Sequence, residues 1–491
     1  MPLVIGVDLG TTKVTSIAVD SSSGAILAIG SAANEARITS PHDAAQGRSE
    51  WDARQIVKIT IECLSRMADQ LGKQVFEVVG IGVTGQQHGM VLVDSELNPV
   101  SPLINWQDRR ALDLMPDSEI TWLQGARNAF GPDAWRRTGC WLQPGFMAVT
   151  LFEMAHRKTV PPGVRALFIM DYFTAFITGQ VPVTEPSCAG SSGVFNVRDR
   201  QWDAAAISAL GLSRDLFPEI REAHQPTGGL SDEFARITGL PAGIPVFAPI
   251  GDHQASFLGS VADRQSTVLV NVGTGAQVAV YTEGVDFIAP IELRPFPGNG
   301  NLLSNVGLAG GWSYQVLEQF FGDAGHHLFQ VKSSDKLYPM MNELAAAIPA
   351  GSDGLRCEPR FSGTRLDPTV RGSISGLSPQ NFTAGHLCRA ILEGMGRSLY
   401  EGFLAIQQVN QSQPTLLVAA GNGLRENPLL AKIVSEAFNL PMLFTRHREE
   451  AAFGAALVAS VGTGLFKSLE EAARQLIATS RDPRELLPVT R

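Results

Sequence analysis

Residues 4–20 read VIGVDLGTTKVTSIAVD. Val4, Ile5 and Val7 before the turn, with Val14, Ile17 and Val19 after it, predict two short strands joined at a Gly flanked by small hydroxyl residues. Such a turn points backbone N–H groups and the hydroxyls of Thr11 and Thr12 at one place. Amides that converge with no side chain in the way form an anion site, and phosphate is its usual occupant. Asp8, at the end of the first strand, would repel a bare phosphate and would suit one that carries Mg²⁺. Taken alone, the same residues also describe an ordinary edge hairpin with a solvated acid, so the rest of the chain has to decide.

The pattern returns. Residues 267–281 read TVLVNVGTGAQVAVY, in which Asn271, Gly273 and Thr274 occupy the places of Asp8, Gly10 and Thr11. Two halves that each open with a strand, a Gly-Thr turn and a returning strand predict two similar α/β domains, 1–255 and 256–491, facing one another across a cleft that holds a phosphate chain between the two turns. No G-x-x-x-x-G-K-[ST] stretch occurs, and GNGLRE at 421–426 lacks the third Gly of a dinucleotide fingerprint, so a nucleotide would bind by neither of those routes. DARQIVKITIECLSRMADQLGK, FTAGHLCRAILEGMGRSLYEGFLAIQQ and EEAAFGAALVASVG predict helices, VVGIGVTG and TLLVAAGNG predict strands, and GQVPVTEPSCAGSSG predicts a loop-rich stretch.

A chain of 491 residues that is 44% hydrophobic and 18% charged can build two or more well-cored domains. The net charge of −9, with no run of Lys and Arg to offset it, argues against a nucleic-acid surface. Cys63, Cys140, Cys188, Cys357 and Cys388 are scattered, with no C-x-x-C pair and no His at ligand spacing, which fits a reducing compartment and no zinc site. The opening MPLVIGVDLG lacks a basic leader, and no later window approaches the roughly 18 apolar residues of a membrane span, so a cytoplasmic protein with no membrane partner is expected. The composition is compatible with a homodimer.

FAPIGDHQASFLGS at 247–260 places Asp252 after a strand and a Gly and before a helix-forming run, near the expected boundary. There it is either a general base within reach of an attacking hydroxyl or a helix N-cap. GVTGQQHGMVLVD sets Gln86, Gln87 and His88 between glycines, and INWQDRRA groups Trp106, Gln107, Asp108 and Arg109. A flat apolar ring beside planar amides, a carboxylate and a guanidinium suits a polyhydroxylated ligand, although His88 and Trp106 are each also read as core residues.

Together these stretches resemble the FGGY family of carbohydrate kinases over essentially the whole chain. The most specific element is GSISGLSPQNFTAGHLCRAILEG at 372–394, which fits the family's second signature through Gly372, Gly376-Leu377, His386-Leu387 and Ala390 to Glu393. LQPGFMAVTLFEMAHRK at 142–158 is no good copy of the first signature. The resemblance implies two ribonuclease H-like (actin-like ATPase) domains with a cleft between them, and ATP and Mg²⁺ as cofactors. It implies Asp8 near Mg²⁺ with Asp252 close by, Gly10, Thr11 and Thr12 at the terminal phosphates, and Asp252 as catalytic base. Gly273 and Thr274 would form the second phosphate turn, and Gly310 or Gly311 in GLAGGWSYQ the nucleotide-contacting glycine, with Gln315 nearby. The stretch holding Gly421, Asn422 and Asn427 is similar to the family's adenine loop, with Asn422 where a Gly is usual and Asn427 one position out of step. On the sugar side it implies Gln87, His88, Trp106, Asp108, Arg109, Asp252 and His253. These strings are more similar to sedoheptulokinases and xylulokinases than to glycerol kinases, with sedoheptulose favoured as acceptor. The rivals are an actin-like or Hsp70-like ATPase switch and a sugar-binding pseudokinase.

Overall fold

The computed structural model describes residues 1–330, 337–361, 363–367, 369–410 and 412–479. Its first half is built on β1 (Leu3–Leu9), β2 (Lys13–Asp20), β3 (Ile26–Ala33), helix α1 (Ala53–Leu71), β4 (Val78–Gly85), β5 (Pro226–Gly229), β6 (Pro245–Phe247), β7 (Ile250–Gly251) and helix α2 (Asp252–Ser260). The second half follows with β8 (Thr267–Val272), β9 (Ala276–Thr282), β10 (Glu292–Pro295), β11 (Asn301–Leu308), α3 (Gly311–Phe329), α4 (Ala384–Gln407), β12 (Leu416–Ala420), α5 (Pro428–Phe438), β13 (Met442–Phe444), α6 (Glu450–Gly462) and α7 (Leu469–Thr479).

The repeat read from the sequence is a repeat of topology. The first sheet runs β5-β6-β4-β1-β2-β3 and the second β10-β11-β9-β8-β12-β13. In each, three antiparallel strands (β1, β2, β3 and β8, β9, β11) continue into parallel partners of the first strand, β4 and then β6 in one half, β12 and then β13 in the other. Both first turns are tight: Leu9 pairs with Val14, and Val272 with Ala276. Because β4 is parallel to β1, with Gly85 beside Leu9, the residues following β4 emerge next to the first turn. In the second half Asn271 lies beside Ala420, so Gly421 emerges next to the second turn in the same way.

Helices α2 and α6 occupy equivalent places, each following the last parallel strand of its half, and they pack between the two sheets. Their apolar residues share one core with both: Val4, Ile17 and Val19 from the first sheet and Leu269, Val418 and Leu443 from the second meet Phe257, Phe453 and Ala456. A helix enclosed on all sides needs no polar face, which explains the run AAFGAALVAS. It must also sit close. A Cβ at Gly6 would lie 1.8 Å from the Ala452 carbonyl oxygen, and one at Gly454 would lie 2.0 Å from that of Ala255.

The predicted helices and strands named above are present as α1, α4, α6, β4 and β12. GQVPVTEPSCAGSSG is loop-rich, broken by a short strand Val183–Thr184 and a helical turn Pro186–Ala189. Within 372–394 the Thr383 and His386 positions form the start of α4. Thr383 caps α4 by accepting from His386 N–H, and the His386 ring bonds Thr383 Oγ1 at 2.7 Å and Asp353 at 3.0 Å. Among the described residues no helix is long and apolar enough to cross a membrane.

Candidate active site

At the first turn the Gly10 carbonyl accepts from Asn34 Nδ2 at 2.9 Å and the Thr12 carbonyl from Asn34 N–H at 2.9 Å, so the turn is held from behind with its outer side free. Thr11 Oγ1 donates to Gln86 Oε1 at 3.2 Å and accepts from the Trp106 indole N–H at 3.0 Å. Thr12 is exposed. Asp8 points into the same region with a buried Oδ1 that has no hydrogen-bond partner. Burial raises its carboxyl to about 7, with the charges of Asp252 and Glu449 adding to the effect and Lys13 opposing it. Lys13 itself pairs with Glu449 at 2.8 Å.

Asp252 is the first residue of α2. The cap position belongs to Gly251, and the Asp252 side chain makes no capping bond; its Oδ1 accepts the N–H of His253 at 2.8 Å. Burial raises Asp252 to about 6, while the His253 N–H and the charge of Arg294 hold it down. Behind it, Gly251 N–H donates to Ser187 Oγ at 3.0 Å, Ser187 N–H donates to Glu185 at 2.6 Å, and Gln87 Nε2 donates to the Ser187 carbonyl at 2.8 Å. Ser187 and Glu185, inside the stretch read as loop, thereby tie the start of α2 to Gln87.

The predicted sugar-side residues come together with one exception in kind. His88, at φ 77°, stacks on Phe146 with ring centroids 4.2 Å apart. Its Nδ1 lies 2.9 Å from the Ser191 carbonyl, which can only accept, so Nδ1 carries the hydrogen. Burial first, then the charges of Arg294 and Arg365, hold the ring neutral, which leaves Nε2 as an acceptor. His253 is likewise neutral, lowered to about 4 by burial and Arg294, and its Nε2 bonds Ser304 Oγ at 2.9 Å. Trp106 is 40% exposed and offers its ring to the cleft, with Arg109 bonding its carbonyl at 3.4 Å. Asp108 is different. It is buried, and its two oxygens take Arg110 through Nε at 2.8 Å and Nη2 at 3.0 Å together with Ser49 N–H at 2.8 Å, so it braces the loop that presents Trp106.

In the second half Gly273 and Thr274 are exposed at the turn between β8 and β9, and their carbonyls accept the Gly311 and Trp312 N–H groups at 2.9 and 3.0 Å. The turn therefore sits on the start of α3. A Cβ at Gly310 would lie 2.3 Å from the Gly275 carbonyl carbon, whereas above Gly275 there is open space. Gln315 is exposed one turn along α3. Gly421 is at φ 81° and Asn422 is exposed beside it, but Asn427 is committed elsewhere: it caps α5 through Leu430 N–H at 3.0 Å and donates to Asn342 at 2.9 Å.

Sequence reading missed a buried ionic group at this site. Glu292 and Arg294 on β10 and Arg365 from a later loop form one cluster, with Arg365 Nε on Glu292 Oε1 at 2.6 Å and Arg294 Nε on Oε2 at 2.9 Å. Phe146 and Ser304 were missed with them. The Glu-x-Arg alternation that puts both charges on one strand face is visible in the sequence, but in a run of strand residues it reads as a solvated edge.

The N-terminal domain of the FGGY family of carbohydrate kinases matches residues 3–259, and the C-terminal domain of the same family matches residues 278–463. The chain belongs to the FGGY family of carbohydrate kinases. It is 26% identical over 489 residues to a xylulose kinase of Staphylococcus xylosus, covering 97% of this chain and 94% of that one. It is 30% identical over 495 residues to a sedoheptulokinase of Homo sapiens, covering 93% of this chain and 97% of that one. The structure of a ligand-bound xylulose kinase from Lactobacillus acidophilus superposes with a TM-score of 0.83 at 21% identity, covering 97% of this chain and 92% of that one. This FGGY kinase is thus a sugar kinase with the two-domain actin-like ATPase fold.

Proposed function

We propose that this FGGY kinase transfers the γ-phosphoryl group of ATP, with Mg²⁺, to a primary hydroxyl of a ketose, with sedoheptulose first among acceptors and xylulose the alternative. The observation that carries this reading is Asp8 beside the Gly-Thr-Thr turn, whose buried Oδ1 has no hydrogen-bond partner and whose carboxyl is raised to about 7 by burial first and then by the charge of Asp252. The kinds of relative this chain has, xylulose kinase and sedoheptulokinase, support the acceptor class. In this reading residues 1–255 carry the first turn and most of the acceptor pocket, residues 256–491 carry the nucleotide turn, and α2 spans the division.

Asp8 fits Mg²⁺ by virtue of its orphaned buried oxygen. An ion there would be held by one or two carboxylates together with phosphate oxygens and water. Bound there, Mg²⁺ neutralises charge developing on the transferred phosphoryl group. The turn of Gly10, Thr11 and Thr12 faces the outer phosphates, and the turn of Gly273 and Thr274, seated on Gly310 and Gly311, forms the second phosphate turn. Asp252, titrating at about 6, is ionised at neutral pH and accepts the proton of the attacking hydroxyl, while Gln87, His88 and Trp106 fix the acceptor in line. Gln315 and the Gly421–Asn422 turn lie on the nucleoside side.

ADP release from Mg·ATP, measured against sedoheptulose, xylulose, ribulose, fructose, gluconate and glycerol with a no-sugar blank, tests the reading. Strong stimulation by a ketose is expected. Release equal to the blank for every ketose overturns it.

A further inference from the structure

The Glu292–Arg294–Arg365 cluster has a chemistry that the phosphoryl-transfer reading leaves unused. Arg294 is 4% exposed, and its Nη1 is buried with no hydrogen-bond partner; Arg365 Nη2 is buried and unpartnered as well. Arg294 is anchored on the Glu292 carboxylate through Nε and Nη2, and Arg365 through Nε, which fixes the free N–H groups in place. A guanidinium donates and never accepts, and an unpaired buried N–H is costly, so two such edges in a cleft call for an oxygen.

The cluster faces the acceptor pocket. Glu292 pairs across the sheet with Ser304, whose hydroxyl bonds His253, and Gln254 Nε2 on α2 donates to the Pro295 carbonyl at 2.9 Å, so β10 is docked on the helix that begins with Asp252. The Arg365 guanidinium lies 5.7 Å from the centre of the Phe146 ring on which His88 stacks. Around these two guanidiniums Glu292 and Asp252 supply the negative charge and Arg109 and Arg127 further positive charge, while His88 and His253 are neutral. A carbonyl oxygen accepts from both donors and carries no hydrogen, whereas a hydroxyl that accepts from both must place its own hydrogen on a further acceptor.

We infer that Arg294 and Arg365, clamped around Glu292, bind the carbonyl oxygen of an open-chain ketose and select it over the alditol of the same carbon skeleton. This inference rests on the ketose-kinase reading and makes the second half of the chain a contributor to sugar choice.

The experiment compares kcat/KM for sedoheptulose with the two heptitols formed by reducing its C2 carbonyl, and for D-xylulose with xylitol and D-arabitol, in the wild type and in Arg294→Met, Arg365→Met and Arg294→Lys. The ketose-to-alditol ratio is internal to each preparation, so a partly misfolded variant still reports it. The wild type is expected to prefer the ketose by roughly tenfold or more, and each Met variant to move that ratio toward one by about tenfold or more, with Lys intermediate. A wild type that uses both equally, Met variants that lose rate on both acceptors with the ratio unchanged, or a wild type that prefers gluconate to any ketose would overturn the inference. A wild type that phosphorylates no ketose at all would overturn the underlying functional reading instead.

Discussion

Replacing Asp8 by Asn should stabilise the ligand-free protein at alkaline pH while removing its activity. Burial, reinforced by Asp252 and Glu449, raises the Asp8 carboxyl from its ordinary 3.8 to about 7 in the folded chain. The folded chain therefore holds this proton more tightly than the unfolded one. Below the unfolded value both states are protonated and there is no penalty; between about pH 4 and about pH 7 stability falls as pH rises, and above that it levels off. A displacement of that size corresponds to about 4 kcal/mol at about pH 8, an upper figure because the side chain keeps some exposure. Asn removes the charge but brings an amide group to a position where Oδ1 has no partner, at a cost of about 1–3 kcal/mol. The net gain should be about 1–3 kcal/mol at about pH 8 and should shrink by about 2–3 kcal/mol at about pH 5. Urea unfolding of both proteins at the two pH values reads this directly, with ADP release from the same samples reporting the loss of activity. A variant that is less stable than wild type by the same amount at both pH values would refute the picture of Asp8 as a buried carboxylate waiting for a cation.

Three further outcomes are expected. Trp106→Phe keeps the ring but deletes the indole N–H bonded to Thr11, and on a side chain this exposed kcat/KM for the sugar should fall roughly two- to tenfold with the urea midpoint unmoved. Gly454→Ala drives a methyl group to 2.0 Å from the Ala255 carbonyl oxygen, where two backbones meet, and should cost about 3 kcal/mol or more, seen as lost soluble yield or an early thermal transition. Because Asp252 must be ionised to accept a proton and titrates at about 6, kcat/KM should fall about tenfold per pH unit on the acid side of that value, and a flat profile down to about pH 4.5 would contradict its role.

Much of this architecture was legible because its signals are local. The strand, turn and returning strand at 4–20 and 267–281 carry their own periodicity and punctuation, and they pair antiparallel in the structure. Asp252 was placed correctly at a strand–helix junction, but the choice between base and cap needed coordinates, which put Gly251 at the cap. Asp108 shows the opposite failure. Its neighbours Trp106 and Arg109 suggested a ligand contact, yet Arg110, two residues on, takes both its oxygens. Asn427 was drawn to the adenine loop by its neighbours, whereas the Pro that follows it marks a helix start, and Asn is a favoured cap. Glu292, Arg294 and Arg365 were out of reach for a different reason. Their partners lie on other strands and loops, so no spacing in the chain announces that the three meet.

The most direct test of the central claim is sugar-phosphate formation by Asp252→Asn, followed by mass spectrometry of the product with the wild type's preferred ketose and Mg·ATP, alongside calorimetric binding of that ketose. Loss of a general base should lower turnover about 10²- to 10⁴-fold, while the ketose still binds within a few-fold of its wild-type affinity, since the amide keeps the shape of the carboxylate. Turnover within about tenfold of wild type would contradict the assignment of Asp252 as the group that takes the proton.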